Sequence, residues 1–179
     1  LRIAEPLLKS LEGFEPVSKW DVDAWAIGFG HHGKEVRQGQ TIDLATAESV
    51  LLADAGAVAD LIIPKLPLIL NPNQLAALIS FAFNVGPGGK TKDGFLRLKT
   101  GEPSTLFKLV WAMPPDATPD QLAPIGDEFL KWVYVGDQPD SGLCSRRTRE
   151  RGLYLTPFSP NPGPENGLPS PGTNSSKGQ

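Results

Sequence analysis

Three carboxylates near the start of the chain have the types and spacing for acid–base chemistry. Glu12 stands beside Gly13, and Asp21 and Asp23 follow nine and eleven residues later. A carboxylate leaving a helix end and another entering a hairpin can face each other across a groove. Cleavage of a glycosidic bond requires such a pair: a protonated acid gives its proton to the leaving oxygen, and an ionised one activates water or steadies an oxocarbenium ion. The partial negative charge at a helix C-terminus disfavours ionisation, which marks Glu12 as the acid. Spacing alone does not decide the matter, because most Asp and Glu side chains are solvated surface groups.

The elements that must position these groups can be read from the pattern. Ile3, Leu7, Leu8 and Leu11 recur at helical spacing, and Gly13 stops that helix at Glu12. The aromatic and valine-rich segment 14–29 lacks a 3.6-residue repeat and predicts a small twisted hairpin, with Gly28 and Gly30 in a close turn. Thr41 or Asp43 can cap a helix that runs to Pro64. Asn71 and Pro72 open a second long helix that closes at Gly86, with Leu75, Leu78, Ile79, Ala82 and Phe83 as a broad core stripe. A glycine-rich connection leads to a helix capped by Ser104. Residues 113–124, rich in proline, read as a loop, 125–134 as helical or interfacial, and 141–155 as a last helix capped by Ser141. The fold class expected is α+β, mostly helical, with one small early sheet.

Composition bounds the function. The 179 residues carry 17 Lys and Arg against 20 Asp and Glu, a net charge of -3, so no overall positive field favours nucleic acid. Cys144 has no partner for an intramolecular bridge, and two histidines, His31 and His32, supply a zinc site poorly, so neither metal nor cofactor is expected. The longest apolar run, 61–70, is cut by Pro64, Lys65 and Pro67 and is too short to span a bilayer. The opening LRIAEPLLKSLE resembles neither a signal peptide nor a natural start, which predicts that something has been removed upstream. Six of the 18 prolines fall within 157–179, where Phe158 and Leu168 are the sole large apolar residues. That composition predicts a disordered tail or linker after a domain spanning 1–156.

EGF at 12–14, Asp21, WAIGFGHH at 25–32, QLAALISFAFNVG at 74–86 and GLCSRRTRERGLYL at 142–155 together resemble the phage-type lysozyme family, the T4-like muramidases of glycoside hydrolase family 24. Order and spacing match across about 1–156, and the combination is far more specific than any single piece. The resemblance implies a two-lobed domain with a small N-terminal hairpin lobe and a larger helical lobe. It also implies cleavage of the β-1,4 bond between N-acetylmuramic acid and N-acetylglucosamine, with Glu12 as general acid and Asp21 positioning the attacking water. The implied partner is bacterial peptidoglycan, met by a monomer at the cell wall, in the periplasm or envelope, in the course of phage or prophage lysis. The family's Thr before I-G is Ala26 here, and the hairpin is one residue shorter than usual between Asp21 and Ile27. An alanine cannot hydrogen-bond water, so water positioning rests on Asp21 alone or on another group such as Asp23 or His32. Three outcomes stay open: hydrolysis, lytic transglycosylation with Glu12 alone, or a non-catalytic wall-binding or virion module.

Secondary features divide between site and scaffold. Arg146, Arg147, Arg149 and Arg151 with Glu150 give the last helix a local charge of +3. The resemblance puts Arg147 beside Glu12, and the other arginines read as a solvated face with i, i+4 pairs such as Arg146 to Glu150. Trp20 and Trp25 lie near the proposed site in sequence and could stack on sugar, whereas Trp111 and Trp132 read as core. Gly30 and His31 fill the family's G-H pair, with His31 a structural hydrogen-bonding residue. His32 replaces the usual Thr, and Asn84 is a helix-end residue that the family places near the groove. GPGGKT at 86–91 lacks the spacing of a phosphate-binding loop and predicts a turn between lobes.

Overall fold

The computed structural model describes residues 1–22 and 24–160; the expected tail lies largely outside the described residues. The first helix, α1, spans Ala4–Glu12 and buries Ala4 and Leu8, one turn apart on the inner face. Gly13, with φ of 70°, turns the chain out of it. Strands β1 (Glu15–Asp21) and β2 (Ala24–Gly28) form the expected antiparallel hairpin, pairing Lys19 with Ala26, Trp20 with Trp25 and Asp21 with Ala24. Its register shifts between Glu15 and Lys19. There the loop after the hairpin pairs instead: Ser18 N–H donates to the Gln40 carbonyl at 2.8 Å, and Ile42 N–H to that of Pro16 at 3.0 Å.

Helix α2 (Leu44–Ile62) is capped by Asp43, which accepts from Thr46 N–H at 2.8 Å, and a short 3-10 turn at Ile63–Lys65 follows it. Its buried stripe, Ala47, Leu51, Ala55, Ala59 and Ile62, is mostly alanine, so its neighbours pack close to the axis. Helix α3 (Pro72–Val85) lies at the centre, packed against α1, α2 and the final helix. Asn71 and Gln74 close a capping box at its start, with Pro72 where no amide partner is needed. The chain then turns back on the helical body, not between lobes as expected. Fully buried Phe95 packs edge-on to Phe81 and Phe107, and a Cβ on Gly88 would stand 1.8 Å from the Arg97 carbonyl oxygen, so only glycine fits there.

Helices α4 (Thr105–Ala112, capped by Ser104), α5 (Pro119–Phe129) and α6 (Ser141–Leu155) complete the body. Three expectations change here. Residues 119–124 are helix, because Thr118 caps and Pro119 takes the first helical position; Pro124 lies inside the same helix. The cap of α6 is Asp140, not Ser141, and accepts from Leu143 N–H at 2.8 Å. Trp111 is 54% exposed, since α4 buries Leu106 and Val110, and its indole N–H donates to the Lys65 carbonyl at 2.8 Å. A two-residue ribbon, β3 (Tyr134–Val135) with β4 (Gln138–Pro139), was not anticipated. The molecule is α+β and mostly helical, a hairpin lobe beside a larger helical body.

Candidate active site

Glu12 is the last residue of α1, held over the body by Leu8 and exposed at the mouth of a cavity with 19% of its side chain. Its Oε1 accepts a hydrogen bond from the Arg146 guanidinium of α6. Burial pushes the Glu12 pKa upward, and the charge and hydrogen bond of Arg146 pull it down without cancelling the effect, so the carboxyl holds its proton more firmly than a solvated glutamate. The turn after β2 comes close on the other side. A Cβ on Gly30, which has φ of 80°, would lie 3.7 Å from Glu12 Oε2.

Alternation along the hairpin selects the residues that face Glu12. Lys19 and Asp21 are two apart on β1, and Lys19 pairs with Ala26 on β2, so all three share a face. Glu12, Glu15, Lys19, Asp21, Ala26, Ile27 and Gly30 line one cavity of about 140 Å³. The two carboxylates chosen from spacing therefore meet at one site in contrasting surroundings: Glu12 is largely withdrawn from water, and the Asp21 side chain is 52% exposed. Ala26 is 3% exposed and brings only a methyl group to the wall. His32 Nε2 lies 3.5 Å from Asp21 Oδ2. Asp23 lies outside the described residues.

His31 stands apart from the cavity. Its Nδ1 meets Asp54 at 2.7 Å and its Nε2 meets Glu35 at 2.8 Å. Burial works against its charged form, but the hydrogen bonds to Glu35 and Asp54 outweigh it and raise the pKa. Trp25 packs edge-on to Trp20 at 5.6 Å between ring centroids. Their place in the alternation puts both on the opposite face of the hairpin from Asp21 and Ala26, so neither lines the cavity.

Arg147 corrects an expectation. It does not meet Glu12: its guanidinium donates to Glu150, to the Asn84 amide oxygen and to the Trp132 carbonyl, and lies 4.6 Å from the centre of the Phe81 ring. Glu150 also accepts from Ser80 at 2.8 Å. Successive residues on a helix point about 100° apart, so the α6 face that buries Arg147 turns Arg146 toward Glu12. Arg146 was assigned to a solvated face, yet it is 6% exposed. Its i, i+4 relation to Glu150 does exist, at 3.9 Å. Asn84 and Arg147 line a second depression with Lys131, Trp132 and Tyr134. Lys19 could have been found from the sequence by counting back two residues from Asp21; no local signal distinguishes Arg146 from its neighbour.

The Phage lysozyme family profile matches residues 9–150, a span that includes Glu12, the hairpin, α3 and Arg146. The chain belongs to the phage lysozyme family. An endolysin of Bacillus phage B103 is 33% identical over 170 residues, which cover 91% of this chain and 56% of the endolysin. An endolysin of Salmonella phage P22 is 33% identical over 137 residues, 73% of this chain and 79% of its own length. A crystal structure of P22 lysozyme superposes with a TM-score of 0.65 at 30% identity, covering 86% of this chain and 95% of that one. The muramidase domain of SpmX from Asticaccaulis excentricus shares the fold, with a TM-score of 0.70 at 24% identity over 88% of this chain and 97% of that domain. The chain spans about half the length of the Bacillus phage endolysins it matches. Within this phage lysozyme fold, α1, the hairpin and the turn after β2 each deliver one part of the cavity, and α6 delivers the arginine bonded to Glu12. No helix among the described residues is long and apolar enough to cross a membrane.

Proposed function

We propose that this chain is a peptidoglycan hydrolase of the endolysin type, cleaving the β-1,4 bond between N-acetylmuramic acid and N-acetylglucosamine at the bacterial wall. The observation that carries the reading is the single cavity holding a desolvated Glu12 and a solvated Asp21. Glu12 gives its proton to the glycosidic oxygen as the bond to the anomeric carbon breaks. Asp21 accepts a proton from the water that attacks that carbon. Both proton transfers use side chains, so the reaction needs no cofactor. The catalytic unit is residues 1–156, acting as a monomer. The endolysin relatives support lysis of bacteria as the setting.

Clearing of purified peptidoglycan by the unaltered chain and by Glu12→Gln tests the proposal. Loss of clearing in Glu12→Gln is expected, and equal clearing by both would overturn it. Ala26 favours a second reading, since its methyl cannot hold a water: the sugar's own hydroxyl could attack in its place, as in lytic transglycosylases. Mass spectrometry of released fragments separates the two, with reducing ends marking hydrolysis and anhydro ends transglycosylation. Binding to insoluble wall with no fragment released would mark a module that keeps the fold and lacks the chemistry.

A further inference from the structure

We infer that His32 is a positioning residue for hydrolysis, its imidazole steadying the Asp21 carboxylate at a site where Ala26 offers no hydroxyl. The inference rests on the hydrolase reading above and adds a residue to its water-activating side. Two independent observations carry it. The first is contact: His32 Nε2 lies 3.5 Å from Asp21 Oδ2, a length common for catalytic pairs before substrate is bound.

The second is register. Ile27 and His31 form an antiparallel bridge, with Ile27 N–H donating to the His31 carbonyl at 3.1 Å and His31 N–H to that of Ile27 at 2.9 Å. That bridge is isolated, and its register carried one step further brings His32 to the face that Ala26 presents. Ala26 pairs on its other side with Lys19, two residues from Asp21 on the same face. His32 thus falls in line with Asp21 across the very position that has lost its polar group. Of the neighbouring donors, both ring nitrogens of His31 are taken by Asp54 and Glu35, and Lys19 Nζ bonds Glu15 at 2.7 Å.

In the proposed step the Nε2 proton of His32 stays on the imidazole and points at Oδ2. Oδ1 is then free to take a proton from the attacking water. The water oxygen bonds to the anomeric carbon, the glycosidic C–O bond breaks, and the Glu12 proton goes to the leaving oxygen. Asp21 ends protonated and Glu12 ionised, and exchange with solvent restores both. The proton count of His32 is unchanged throughout.

The pair is half exposed, 42% for the His32 side chain and 52% for Asp21, so its loss should barely affect folding. Steady-state kinetics on soluble peptidoglycan fragments test the inference with His32→Ala, His32→Gln and each in combination with Ala26→Thr. We expect His32→Ala to lower kcat at least about tenfold with KM within about twofold, and His32→Gln, which keeps an N–H at the same reach, to recover most of it. With Thr at position 26, the cost of His32→Ala should shrink to about twofold, because the hydroxyl takes over the role. An unchanged kcat in His32→Ala, the same loss in both backgrounds, or a Gln variant as impaired as the Ala variant would overturn the inference. If Glu12→Gln remains active, the hydrolase reading fails as a whole; if Glu12→Gln is dead and His32→Ala is unimpaired, only the role of His32 fails.

Discussion

Arg146 of α6 donates a hydrogen bond to Oε1 of Glu12, so the last helix holds the side chain that ends the first. Burial raises the Glu12 pKa and Arg146 moderates the rise. Replacing Arg146 by Ala removes the moderating charge, and the pKa climbs further. Since Glu12 must be protonated to act in the proposed reaction, the alkaline limb of the kcat/KM profile should move to higher pH, while the maximal rate falls because the carboxyl is no longer held. A pH profile of fragment hydrolysis checks both effects, and an unmoved limb would show that Arg146 does not tune the acid.

Arg147 and Glu150 form a fully buried pair, joined by Ser80 and Asn84. Burial presses on both charges, lowering the Arg147 pKa and raising that of Glu150. Arg147→Met leaves Glu150 enclosed with Arg146, 3.9 Å away, in place of its closer cation, which should cost about 3–5 kcal/mol in urea unfolding. The variant with Glu150→Leu added should recover part of that loss, since the buried carboxylate is gone.

His31 ties the loop at Glu35 to α2 at Asp54. Its pKa is raised in the fold, so its contribution to stability is complete below the ordinary histidine value and fades as pH rises through the folded one. The Glu35 pKa is lowered, chiefly by the hydrogen bond to His31, so that contribution is present above the ordinary glutamate value and fades as pH falls through the folded one. Together they bound a window in mildly acidic solution. His31→Gln should therefore lose more stability at pH 5.5 than at pH 9, as measured by urea midpoints at the two pH values. Equal losses would rule out the titration.

Gly30 has φ of 80°, and its missing Cβ points toward Glu12 Oε2. Gly30→Ala forces an L side chain into left-handed backbone at a cost of about 1–2 kcal/mol and brings a methyl against the acid. A lower thermal midpoint together with reduced clearing is the expected outcome. A variant with unchanged stability would mean that the turn relaxes freely.

The parts of this architecture that were legible in the sequence are those governed by neighbours along the chain. Asn71, Pro72 and Gly86 mark α3 at both ends, Gly13 ends α1 at Glu12, and alternating residues mark the hairpin. The pairing of Glu12 with Asp21 in one cavity was legible because few residues separate helix end and strand. What could not be read depends on how elements rotate and dock. Whether Arg146 or Arg147 faces Glu12 follows from the turn of α6 about its axis, fixed by the burial of Arg147 beneath Phe81 and Glu150. Trp111 escapes the core because α4 is only two turns long and spends its inner face on Leu106 and Val110. The start of α5 was hidden because proline, a helix breaker in general, is at home in the first helical position.

The pairing of the first helix with the last also sets an order of events during synthesis. Glu12 emerges from the ribosome more than 130 residues ahead of the arginine that grips it. Until α6 is made and packed on α3, Glu12 lacks the guanidinium that holds its carboxyl. In the proposed reaction the general acid is therefore completed by the final helix, and a nascent chain stopped before Arg146 carries both carboxylates without the contact that fixes Glu12.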